Sequence, residues 1–153
     1  MRRSDREVTD MRDIIDILRR ADTIRLGLHG EPYPYVVPLS FGLEENDGGI
    51  ALYFHGAKAG LKHELIAKNP HVCVEADIFH RYAETPTGGV TTVYESVIGF
   101  GTAARVDGEE AAKGLNLLLA RCGCENYGFD RAALETTWVY KIALTSVTGK
   151  RNL

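Results

Sequence analysis

Ile50-Ala-Leu-Tyr-Phe-His-Gly-Ala-Lys-Ala-Gly-Leu-Lys-His-Glu-Leu-Ile66 is the stretch on which the reading of this chain turns. Ile50 to Phe54 is an unbroken apolar run of strand length, bounded by turn residues. His55 to Gly60 reads as a short polar turn, and a helix opens at about Leu61. A helix N-terminus presents free N–H groups and partial positive charge, which suits an anion such as a phosphate. Lys58 and Lys62 bracket that start and add point charges. Gly56, Ala57, Ala59 and Gly60 are small enough for a ligand to approach the backbone. The same letters also describe a plain strand–turn–helix joint with solvated lysines, and spacing alone leaves both readings open.

The remaining composition narrows the class. A chain of 153 residues forms one domain and buries roughly 70% of its unfolded surface. A formal net charge of -3 argues against a general nucleic-acid binder, which would be basic. The N-terminus is too charged for a secretory signal, and no apolar run approaches a membrane span, so a cytoplasmic location is expected. Cys73, within Val72-Cys-Val74, reads as a small buried hydrophobe. Cys122-Gly-Cys124 has no second pair to complete a zinc site, and no metal site is expected.

Outward from the opening stretch, Val8 to Ala21 has helical apolar spacing, with Asp5 or Thr9 as cap. Thr23 to Leu28 and Tyr35 to Phe41 read as strands, the second at an edge or bulged at Pro38. Glu44 to Gly49 reads as a solvated turn, Leu61 to Lys68 as a helix stopped by Asn69-Pro70, and His71 to Ala76 as a strand. Phe79 to Thr92 reads as an irregular connection, and Tyr94 to Val106 as a long strand whose glycines suggest a bulge or barrel corner. A helix from Glu109 to Arg121, capped by Asp107, and a strand from Trp138 to Val147 complete the order. Hairpin-like links dominate, so a small mainly β, antiparallel barrel with flanking helices is expected.

Pro34-Tyr-Val-Val-Pro-Leu-Ser-Phe41, Tyr53-Phe-His-Gly56, Gly60-Leu-Lys62, Asn69-Pro70 and Tyr94-Glu-Ser-Val97, in that order, resemble the FMN-binding split-barrel superfamily. Within it the chain is most similar to the pyridoxamine 5′-phosphate oxidase-like flavoproteins that include the 5-nitroimidazole resistance proteins. The opening Met1-Arg-Arg-Ser-Asp-Arg-Glu7 and the closing Thr148-Gly-Lys150 resemble that branch too. The likeness spans nearly the whole chain. It implies a six-stranded antiparallel split β-barrel, FMN as cofactor, and a homodimer with the flavin at the subunit interface.

The resemblance also assigns residues. It implies that the backbone of Val37, Pro38, Leu39, Ser40 and Phe41 lies along the flavin ring and ribityl chain. His55 and Gly56 would touch the flavin and its phosphate. An Arg-Lys phosphate pair reads Leu61-Lys62 here, so the lysine is kept and the arginine lost; Lys58 is our candidate for the missing charge. Ser96 stands at a polar position beside the flavin, and Lys150 where the oxidases place an aromatic residue. The oxidases continue into a tail that holds pyridoxine phosphate, whereas this chain ends at Leu153, so true pyridoxamine phosphate oxidation is not expected.

The expected activity is an FMN-dependent, nitroreductase-like oxidoreductase acting on a small molecule, nitroaromatic compounds among the candidates, without nucleic acid or membrane partners. His55 carries three readings: a catalytic proton donor, a ligand to haem as an alternative cofactor, or a turn histidine bonded to phosphate or backbone. His29, His63, His71 and His80 read as surface or loop residues. Trp138, Tyr33 and Tyr35 read as core, interface or pocket aromatics. The rivals are a non-catalytic flavin or haem binder on the same fold, and an interaction domain with no cofactor.

Overall fold

A computed structural model describes residues 2–46, 49–125 and 131–153. Its strands are β1 (Glu7–Val8), β2 (Ile24–Leu28), β3 (Tyr35–Leu39), β4 (Gly42–Asn46), β5 (Gly49–Ala57), β6 (His71–Glu84), β7 (Val90–Val106) and β8 (Thr137–Asn152). Its helices are α1 (Met11–Arg20), α2 (Leu61–Lys68), α3 (Gly108–Arg121) and α4 (Arg131–Thr136). All pairings are antiparallel, in the order β3-β2-β6-β7-β8-β5-β4, with β1 added along β8. The two ends of this path, β3 and β4, are consecutive in the chain. Ser40 and Phe41 therefore carry the backbone from one edge to the other and close the barrel.

Phe41 is fully buried at that crossing. The Arg121 guanidinium lies 3.9 Å from its ring centroid and donates to the carbonyls of Leu18 and Ala21 at the end of α1. One arginine thus ties α1, α3 and the crossing together. Ile14, Ile15, Ile17 and Leu18 of α1 enter the main core with Ile24, Leu26, Leu52, Phe54, Val74 and Ile142. Each such aliphatic side chain contributes about 1.5–3 kcal/mol on full burial.

The barrel has more strand than the sequence suggests. Phe79 to Thr92 is not irregular: β6 and β7 run on as a hairpin, with Glu84 opposite Val90 and a register shift between Phe79 and Arg81. Exposed Phe79, Tyr82 and Val90 lack the buried face that produces a readable alternation. Glu44 to Asn46 belongs to β4, paired with Ile50 and its neighbours, rather than to a turn; residues 47–48 lie outside the described residues. β8 extends to Asn152, and Val8 leaves the first helix for β1. Asp10, not Asp5 or Thr9, caps α1 by accepting from the Arg12 N–H at 2.9 Å. Asp107 occupies the N-cap position of α3 without a side-chain cap bond. The bulge expected among the β7 glycines is present: the register against β8 shifts between Phe100 and Gly101, where a Cβ would stand 2.2 Å from the Ala143 carbonyl oxygen.

The acidic run is only partly solvated. Tyr53 Oη lies 2.6 Å from Glu44 Oε2 and 2.5 Å from Glu110 Oε1, with Lys141 Nζ 2.7 Å from Glu110 and Lys113 paired to Glu44. This network fixes α3 on the β4–β5 hairpin. Lys113 and the Tyr53 hydroxyl hold the Glu44 carboxyl down at about 2, against an ordinary 4.5. A folded value below the unfolded one means that the stabilisation is complete above about pH 4.5 and lost as pH falls towards 2. Glu44→Gln is expected to lower stability at pH 7 by roughly 1–3 kcal/mol. Thermal melts across that acidic window should show a shallower slope than in the parent; identical slopes would remove Glu44 from the account.

Candidate functional site

β5 is buried continuously from Ile50 to Phe54 because it is covered twice. Ile50, Leu52 and Phe54 face the main core, and Tyr53 faces α3, where a Cβ on Gly114 would sit 2.6 Å from its ring. This explains the unbroken apolar run. Beyond Phe54 the strand changes character. β4 pairs with β5 only as far as Tyr53, so His55, Gly56 and Ala57 are paired on one side alone, to Val139, Trp138 and Thr137 of β8. β3 is likewise paired on one side alone, to β2. The wedge between these free edges is the split in the barrel. A cavity of about 270 Å³ lined by Tyr35, Leu61 and Leu65, among others, places α2 beside the start of β3.

α2 opens towards this wedge. Its N-cap, Gly60, adopts φ 128, a left-handed conformation that favours glycine, and supplies no side-chain cap. The Lys62 side chain folds back over Gly56, where a Cβ would stand 2.5 Å from Nζ and 3.0 Å from Cε. Glycine at position 56 is thus what lets the ammonium lie there. Neither Lys58 nor Lys62 has an ion-pair partner among the described residues. His55 is exposed as a side chain, yet partial desolvation and then the Lys62 charge hold its pKa below the ordinary histidine value.

His63 is the residue the sequence reading misplaced. It is buried, not on a solvated flank, and shares the inward face of α2 with Ile66. Its Nδ1 is 3.1 Å from Tyr140 Oη, while its Nε2 is buried and unpartnered. A polar atom left so costs about 1–3 kcal/mol. The i, i+3 spacing to Ile66 is the signal that could have found it.

The expected site residues fall into two groups. His55, Gly56, Lys58, Leu61 and Lys62 gather at the start of α2, with the β3 edge (Val37, Pro38 and Leu39) across the wedge. Ser40 is exposed next to them, whereas the Phe41 ring is buried and only its backbone can serve a ligand. Ser96 and Lys150 are opposite each other on β7 and β8, with Lys150 Nζ 5.9 Å from the Tyr94 ring. Val97, next to Ser96 on β7, faces the main core, so this pair lies on the outer sheet face. β7 is three strands from β3, on the order of 15 Å from its edge.

The family model for pyridoxamine 5′-phosphate oxidase matches residues 10–151. The chain belongs to this family. None of the curated proteins matches it. Among solved structures, a candidate 5-nitroimidazole antibiotic resistance protein from Bacteroides thetaiotaomicron is 27% identical, with TM-score 0.83 over 94% of this chain and 85% of the other. A flavocytochrome from Azotobacter vinelandii superposes with TM-score 0.82 at 17% identity, over 100% of this chain and 72% of its own. An FAD and haem binding protein from Mycobacterium smegmatis gives 0.81 at 17% identity, over 96% and 73%. The last two likenesses show the shared split-barrel fold. This oxidase-family chain adds a strand on β8 and separates β3 from β4, hence eight strands among the described residues where six were expected.

The residues fit the phosphate end of a flavin: an uncapped helix start, an unpaired lysine laid over a glycine, and an unmatched buried imidazole nitrogen. The free edge of β3 adds backbone hydrogen-bonding groups for a flat polar ring. Gly56→Ala is expected to push the flexible Lys62 chain aside with little change in melting temperature. Affinity for a phosphate monoester should nonetheless fall several-fold. Fluorescence titration with FMN, beside a thermal melt, checks both halves.

Proposed function

We propose that the protein binds FMN in the split of its barrel and acts as a flavin-dependent oxidoreductase on a small molecule, a nitroaromatic compound among the candidates. The observation that carries this reading is Lys62, folded over Gly56 at the open start of α2 without an acidic partner. Family membership and the 27% identical resistance protein support it. When bound, FMN supplies the electron-transfer chemistry.

The chain's own residues hold and orient. Lys62, with Lys58, and the free N–H groups of α2 take the phosphate. The β3 edge from Val37 to Leu39, with Ser40 and the Phe41 backbone, lies along the ring. His55, whose pKa is held below the ordinary value by partial desolvation and then by the Lys62 charge, stands at the open end of β5. There it can bond the ring edge or, once it has taken up a proton from solvent, pass that proton to substrate.

A homodimer completes the arrangement. The outer face exposes Val36, Phe79, Ile98 and Phe100, with Ser96 and Lys150 half-buried. A second copy seated there would bring Ser96 and Lys150 to the wedge and exclude water from the ring. No helix among the described residues is long and apolar enough to cross a membrane; a cytoplasmic location belongs to the same proposal.

A second reading replaces or joins the flavin with haem, with His55 as ligand. It is favoured by the two structural relatives whose names include a cytochrome or haem. A visible spectrum of the purified chain, repeated with added FMN, FAD and haem, separates the readings. A bound flavin spectrum supports the first and a Soret band the second. Lys62→Ala should weaken FMN binding by one to two orders of magnitude, since a charge-assisted hydrogen bond contributes about 1.5–3 kcal/mol. Unchanged affinity in that variant would sink the phosphate assignment.

A further inference from the structure

His63 is 4% exposed and caged by aromatic rings, edge-on to Trp138 at 5.2 Å and stacked with Tyr140 at 5.4 Å between centroids. The Tyr140 hydroxyl serves Nδ1, so either tautomer leaves Nε2 an idle donor or acceptor. The ring sits in the first turn of α2, with Cε1 3.6 Å from where a Gly56 Cβ would stand. That same point is 2.5 Å from Lys62 Nζ, so ammonium, glycine and imidazole converge on one small volume.

The charged and titratable groups around it come from every neighbouring element. His55 is on β5, Lys58 on the following turn, Tyr140 on β8, and Arg105 on β7 with its guanidinium 5.1 Å from the Trp138 ring. Glu64, next on α2, is exposed, and no carboxylate among the described residues pairs with His63 or Lys62.

We propose that His63 is a further anion-recognition residue of this cleft: a phosphate monoester held by Lys62 and the open end of α2 draws a proton onto the His63 ring, whose Nε2–H becomes a charged donor to that anion. The inference rests on the FMN reading above. The Lys62 side chain, which lies over Gly56 beside the His63 ring, would shift with the anion it holds for Nε2 to reach it. Burial first, and the Lys62 charge second, hold the His63 pKa below its ordinary value. The Ala57 backbone opposes that fall, though Nε2 makes no hydrogen bond. An anion that offsets Lys62 reverses the second effect, and reciprocity makes phosphate binding tighten as His63 becomes protonated.

The experiment is calorimetric titration of the full chain with FMN at pH 6.5, in two buffers of different ionisation enthalpy. It is repeated with His63→Phe, which keeps the ring packing, and with His55→Gln. The second ionisation of the phosphate, near pH 6, releases protons in all three proteins, so the differences between them isolate each histidine. The wild type should take up more protons than His63→Phe. That variant should bind FMN about tenfold more weakly at pH 6 and nearly normally at pH 8.5.

Equal proton counts in wild type and His63→Phe would overturn the proposal, as would an affinity loss that is the same at both pH values. An uptake abolished only by His55→Gln would move the role to His55 and overturn it equally. Should His63→Phe fail to fold, nitrogen-15 NMR of the wild-type imidazole decides: its pKa must rise when FMN is added and stay put with riboflavin, which lacks the phosphate. A wild-type chain that gives no binding heat with FMN, and no flavin spectrum, removes the functional reading itself and this inference with it.

Discussion

A strand that pairs with one neighbour before Ser40 and with another after Phe41 must leave a gap between those two neighbours. That constraint generates the rest of the molecule's useful geometry. β3 and the last residues of β5 each keep one unpaired edge, and unpaired edges are normally covered or defended. Here they face a wedge whose floor is glycine and whose rim is the start of α2. The crossing itself is fixed by Phe41 under Arg121. Burial disfavours the Arg121 charge, and carbonyls at the end of α1 compensate it.

Charge pairing sharpens the contrast between the cleft and the remainder of the surface. Most basic side chains elsewhere have carboxylate partners: Arg20 with Glu95 and Asp16, Arg25 with Glu75 and Asp77, Lys113 with Glu44. Lys58 and Lys62 have none among the described residues, and both imidazoles near Lys62 are pushed towards neutrality. A local excess of positive charge beside an uncapped helix start is a poor arrangement for stability alone. It is a good one for an anionic ligand, which restores the balance on arrival.

Much of this was legible because buried strands and helix starts leave marks in the letters. Ile50 to Phe54 and the turn after it could be read directly, and Pro38 announced an edge strand, where β3 is found. The β6–β7 arm could not be read, because strands exposed on both faces show no alternation. β4 was hidden by its acids: Glu44 looks solvated until Tyr53 on the paired strand and Lys113, distant in sequence, close around it. His63 was obscured for the same reason, since its burial depends on Trp138 and Tyr140 from the far end of the chain. Ser96 and Lys150 fall together in register, as two residues on neighbouring long strands should, yet they lie far from the wedge within one copy.

β8 pairs with β1, β5 and β7, although it is the last of these strands to be synthesised. As the chain leaves the ribosome, the free sides of β5 and β7 wait for residues 137–152. At ordinary elongation rates that wait is on the order of ten seconds after β5 appears. Through that interval the apolar five-residue run of β5, and through its later half the seventeen-residue β7, stand without their common neighbour. Transiently exposed strand edges during synthesis follow from placing the strand that joins β5 and β7 after both of them in chain order.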